Sequence, residues 1–150
     1  MRYWIAAAAG LIFITSSAQA AEALVTKKSS HSVSVTADRF AAALKEKGIT
    51  LVARVNHAGA AKKVGMELRP TELLIFGNPK LGTPLMQSNQ TAGIDLPLKA
   101  LVWQDAKGDV WIGYVAPDAI VARHGIADRA EVVKKMTGAL EGLSAGATKP

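Results

Sequence analysis

Two side chains of this chain have the chemistry of proton transfer and sit where working groups often sit. His57 follows an alternating apolar run, and Asp95 stands just ahead of Leu96-Pro97. An imidazole titrates near neutral pH and a carboxylate can orient it, so the two are candidates for acid/base catalysis if the fold brings them within hydrogen-bond reach. No second carboxylate has a spacing that argues for paired acid–base work, and Ser88 lies in a polar stretch rather than a nucleophile elbow. His31 and His124 read as solvated residues at helix ends. With three histidines widely spaced and no cysteine, no metal site is expected.

The densest run of unusual residues is Gly77-Asn78-Pro79-Lys80-Leu81-Gly82-Thr83-Pro84-Leu85-Met86-Gln87. Two glycines separated by four residues, after an apolar strand, invite comparison with a phosphate-binding loop. That chemistry requires Lys directly after the second glycine, where this chain has Thr83, and Pro79 removes a backbone amide from the cradle. Nucleotide hydrolysis is therefore not expected. A simpler anion site survives. If Thr83 caps a helix whose first position is Pro84, free amides, the Thr83 hydroxyl and Lys80 would converge on a negative group. Asn78 and Gln87 would add neutral hydrogen bonds, Met86 an adaptable apolar contact, and Gly82 backbone access. Tyr114, on a later strand, would line the same pocket. The plainer alternative is that Asn78 and Thr83 only close a turn and cap a helix.

The elements that must position these groups are legible from periodicity. Ala23 to Thr26 reads as a short first strand. Ser32 is an N-cap for a helix carrying Val33, Ala37, Phe40, Ala41 and Leu44 on one face, closed by Gly48. Ile49 to Asn56 alternates as a strand, and His57 to Val64 is a short helix ended by Gly65. Leu73 to Phe76 is a continuous apolar run expected of a central strand buried on both faces. Leu98–Gln104 and Val110–Val115 form a hairpin around Gly108. Asp128 is the expected cap of a last helix with Val132, Val133, Met136 and Leu140 inward. The pattern predicts one α+β domain over residues 21–143, a mostly antiparallel sheet of four to five strands covered by helices, with 144–150 a disordered tail.

The first twenty residues read as an export signal. Arg2 gives an amino-terminal charge, Ile5 to Ile14 is uncharged, and Ala18-Gln19-Ala20 offers small residues for cleavage. The apolar stretch is about half the roughly twenty residues that a membrane span requires. Loss of Arg2 takes the formal net charge from +6 to +5. The expected location is periplasmic or secreted, with no stable span after cleavage. There an excess of positive charge suits small anionic solutes or lipid headgroups rather than nucleic acid. Without cysteine, the fold must stand on its apolar core alone.

The Gly-Asn-Pro…Gly-Thr…Leu-Met run, Asp95-Leu96-Pro97, Leu98 to Trp103, Gly108, Tyr114 and Asn56-His57 together resemble the domain-of-unknown-function 302 family, roughly from Val25 to His124. The resemblance implies a small α+β domain with an antiparallel sheet and a homodimer. It implies no activity and leaves the cofactor open. Members often have Asp where this chain has Asn56, which weakens a carboxylate–imidazole pair there. The leading expectation is a binding or accessory module for a small anionic or amphipathic solute, which leans away from an enzyme without deciding it. The alternatives are an enzyme using His57 and Asp95, and a dimeric interaction protein.

Overall fold

The computed structural model describes residues 24–150, so the export signal read at 1–20 lies outside the described residues. In chain order the elements are β1 (Leu24–Ser29), α1 (Val33–Glu46), β2 (Thr50–Asn56), α2 (His57–Lys63), β3 (Thr71–Gly77), α3 (Pro79–Ser88), a 3-10 turn (Gln90–Ile94), β4 (Leu98–Gln104), β5 (Val110–Val115), α4 (Pro117–Arg123) and α5 (Ala130–Thr148). The five strands form one antiparallel sheet in the order β1-β5-β4-β3-β2. This is the expected α+β domain.

Strand alternation sorts the sheet into two faces. Leu74, Phe76, Ala100, Val102, Ile112 and Tyr114 point toward the helices, where they pack with Val33, Ala37, Phe40 and Leu44 of α1 and Leu140, Leu143 and Ala147 of α5. Phe40 meets Phe76 edge to face at 5.2 Å between ring centroids, an arrangement that suits the ring quadrupoles. Leu73, Ile75, Leu101, Trp103, Trp111 and Val115 form the other face. All six remain partly exposed and none joins a buried cluster. β3 is therefore buried on one face, not on both: β4 is the central strand, and β3 meets α1 and α2.

α1 begins as its sequence predicts, with the Ser32 side chain accepting from the Val35 amide, and Gly48 at φ 64° turns the chain into β2. The other end of the molecule departs from expectation. Residues 144–148 continue α5, with Ser144, Ala147 and Thr148 buried. Arg39 donates to the carbonyls of Gly146 and Lys149, and the Ser30 amide donates to Thr148. Ser144, Gly146 and Thr148, weak helix formers, are held helical by packing on α1 and β1. Asp128 does not cap α5. It pairs with Arg129 at 3.6 Å and accepts from Ser88, and Arg129 stands at the N-cap without a side-chain cap.

Candidate functional site

The Asn78-Pro79 step, not Thr83-Pro84, starts α3. Both dipeptides carry the same signature of a polar cap followed by proline at the first helical position. Asn78 wins because its side chain accepts from the Lys80 amide at 2.9 Å, while its carbonyl accepts from Leu81 and Gly82. Pro84 is thereby left inside the helix. The amides of the first turn are consumed in this way, and Thr83 sits in mid-helix, so the anion cradle expected at Thr83 is not formed.

What α3 builds instead is one wall of a cavity of about 340 Å³. The wall comprises Asn78, Leu81, Gly82, Thr83 and Met86. Ile49, Thr50, Val52 and Phe76 close it from the ends of β2 and β3, Leu96, Pro97 and Leu98 from the approach to β4, and Met136, Ala139, Leu140 and Leu143 from α5. The volume falls at the lower end of the range of roughly 300–1,000 Å³ for small-molecule sites. No charged side chain lines it; Thr50, Asn78 and Thr83 supply the polar side chains. A Cβ at Gly77 would touch Pro97, and one at Gly82 would touch Leu96, so the glycines let the chain ahead of β4 lie close on α3.

Of the residues singled out by sequence, Asn78, Gly82, Thr83 and Met86 share this cavity. Lys80 and Gln87, on the same helix, are exposed and do not line it. Tyr114 belongs to the core beneath the helices at 3% exposure. Burial raises its phenol above the ordinary value, against a smaller opposing effect of the hydrogen bond with Ser144. Sequence reasoning missed the walls given by Thr50 and by α5. The inward stripe of Met136 and Leu140 was legible, but nothing in a stripe distinguishes a residue facing a cavity from one facing the core.

His57 and Asp95 do not meet. His57 follows Asn56, which pairs with Glu72 at one end of β3, whereas Asp95 precedes Leu98, which pairs with Phe76 at the other. Four residues of strand put roughly 13 Å between those ends. The catalytic pair read from the sequence is thus excluded by strand register. His57 is the first residue of α2, and Asn56 caps that helix, its side chain accepting from the Gly59 amide at 2.6 Å.

Asp95 has a different partner. Its Oδ2 lies 2.7 Å from Nε2 of His124, and its Oδ1 accepts from Arg123 at 2.7 Å. His124 Nδ1 lies 2.8 Å from the Thr91 hydroxyl, and Asn89 Nδ2 donates to the His124 carbonyl. Burial pushes the Asp95 carboxyl up. The hydrogen bond with His124 and the Arg123 charge outweigh that and hold it below the usual carboxylate value. Neither Asp95 nor His124 lines the apolar cavity, although the next two residues, Leu96 and Pro97, do. The cluster ties the end of α4 to the segment forming that wall. Among the described residues no group of three or more His, Cys, Asp or Glu could hold a metal ion, and no helix is long and apolar enough to cross a membrane.

Fold and site together define a two-layer α+β domain with an uncharged, largely apolar cavity at one end of the sheet. The chain belongs to the family described as Domain of unknown function DUF302, whose model matches residues 25–143. A crystal structure of an uncharacterized conserved DUF302 protein from Bacillus stearothermophilus superposes with a TM-score of 0.73 at 22% identity, covering 83% of this chain and 97% of that one. The chain is 44% identical over 127 residues to the fluoride-specific ion channel FluC 1 of Brucella suis biovar 1 (strain 1330), covering 82% of this chain and 50% of that protein. The FluC 1 of Brucella abortus biovar 1 (strain 9-941) is also 44% identical over 127 residues, with 47% of its length covered. The chain thus spans about half the length of the curated relatives it matches.

Proposed function

We propose that this protein is an exported, non-enzymatic module that binds a small apolar or amphipathic solute between α3, α5 and the Gly77 end of the sheet. The observation that carries the reading is the 340 Å³ cavity with no charged side chain in its lining. Export rests on the amino-terminal pattern from Arg2 to Ala20. Of the solutes considered from sequence, the anionic one loses its support with the first-turn amides of α3 already bonded, and the amphipathic one gains it.

Native mass spectrometry of the protein purified from its own host tests this. The expected result is a retained small molecule, lost in an Ala139→Phe variant that fills the cavity. A bare protein that also fails to take up a neutral apolar dye such as Nile red would end the reading.

A second reading is favoured by the open sheet face of Leu73, Ile75, Leu101, Trp103, Trp111 and Val115. Large apolar surfaces of this kind mark interaction sites. A homodimer formed through it is the simplest case, and the longer relatives named as ion channels support an accessory role beside such a protein as well. Sedimentation of the wild type and of Leu101→Glu distinguishes the cases. A dimer that the substitution dissolves supports the face as a self-association surface, and a wild-type monomer removes the homodimer.

A further inference from the structure

The cavity's polar groups define the chemistry of its occupant more narrowly than its volume does. Thr50 pairs in register with Gly77, so it stands beside Asn78 at the end of the sheet, and Thr83 lies about one helical turn further along α3. The Asn78 side-chain oxygen is committed to the Lys80 amide. Asn78 Nδ2 and the hydroxyls of Thr50 and Thr83 make no hydrogen bond to another described residue, and Thr50 and Thr83 stand exposed at the cavity's rim. The rest of the lining is apolar side chain and glycine. Met86 and Met136 contribute flexible thioethers that adapt to irregular chains.

An ionised carboxylate or ammonium drawn into the apolar lining would give up part of its hydration with no opposite charge in the wall to replace it, an unfavourable exchange. A neutral hydroxyl, carbonyl or amide meets an amide donor and two hydroxyls that have no protein partner, and a hydrocarbon chain meets Met86, Met136, Leu140 and Leu143. At roughly 30 Å³ per water-sized unit, the cavity has room for on the order of ten non-hydrogen atoms.

We infer that the occupant is an uncharged amphiphile: a short hydrocarbon chain carrying a neutral hydrogen-bonding head, with the head at Thr50, Asn78 and Thr83 and the chain running toward α5. This rests on the cavity being a binding site and adds the class of ligand.

The test is calorimetric titration of the purified protein at pH 8 with 1-octanol, octanamide, octanoate and octylamine, alongside Nile red uptake. Octanol and octanamide are expected to bind at least tenfold more tightly than the two charged compounds. Lengthening the alcohol is expected to strengthen binding about three- to fourfold per methylene until the cavity is full. Asn78→Asp keeps the oxygen that caps α3 but removes the donor. It is expected to weaken octanamide about tenfold, and Thr83→Val is expected to lower octanol affinity in the same way. Octanoate binding as well as octanol would overturn the neutral head and leave the cavity reading standing. Nile red uptake sensitive to Ala139→Phe, with none of the four compounds bound, would also overturn the assigned class. Failure of the dye as well would bring down the cavity reading itself.

Discussion

The Asp95 carboxylate and the His124 imidazole, 29 residues apart in the chain, lie 2.7 Å from one another and close the end of α4 onto the segment that enters β4. Because the carboxylate accepts, the bridging proton sits on Nε2 of His124, and Nδ1 faces the Thr91 hydroxyl. The contact shapes the cavity indirectly, since Leu96 and Pro97 extend from Asp95 into its wall.

Acid should loosen this clasp. Asp95 is held below its ordinary value in the folded chain, burial being outweighed by His124 and Arg123. Its contribution is therefore present above the unfolded carboxylate value of about 3.9 and disappears as pH falls through the lower folded value. Asp95→Asn is expected to cost about 1.5–3 kcal/mol near neutrality, the worth of hydrogen bonds to a charged group. It should also flatten the loss of stability below about pH 4. Urea unfolding of both proteins from pH 2 to 7 checks this, and parallel curves would contradict it.

The carboxyl-terminal helix offers a gain. Gly138, Gly142 and Gly146 recur every fourth residue on the exposed side of α5, and a Cβ at any of them meets nothing within 4 Å. Alanine should stabilise each position by roughly 0.5–1 kcal/mol by restricting the unfolded chain. For Gly142→Ala a rise in melting temperature of about 2–6 °C is expected. A fall would mean that this side of the helix is covered in solution.

Gly113 is the opposite case. A Cβ there would stand 3.0 Å and 3.1 Å from two ring carbons of Trp103 and 3.3 Å from the Thr26 methyl. Glycine in a strand normally weakens it, and here it makes room for an indole across the open face. Gly113→Ala is expected to cost about 1–3 kcal/mol through overpacking. In a double-mutant cycle Trp103→Val should recover part of that, and additive losses would show that the ring is not the obstacle.

Much of the architecture was legible because its signals are local. Ser32 and Gly48 bracket α1, Gly108 turns the hairpin, and alternation places the strands. The start of α3 was ambiguous for a local reason, two polar-proline steps five residues apart, decided by which side chain reaches a free amide. The continuation of α5 beyond Leu143 was hidden for a tertiary reason: Ser144, Gly146 and Thr148 are poor helix formers at a chain end, but the surface of α1 supports the helix. The catalytic pair failed because strand register, unreadable from spacing, sends His57 and Asp95 to opposite ends of β3. The true partner of Asp95 was a histidine read as a mere helix end. The part of the cavity wall in the Gly77–Gln87 run could be anticipated; the parts from α5 and from the ends of β2 and β3 could not.

Methionine methyls would report directly on a neutral apolar chain bound between α3 and α5. Met86 and Met136 line the cavity, while Met66 is 66% exposed and lies outside it. Titration of methyl-labelled protein with 1-octanol, followed by NMR, should shift the Met86 and Met136 signals saturably and leave Met66 in place. Signals that stay fixed, or a Met66 shift as large as the other two, would contradict binding there.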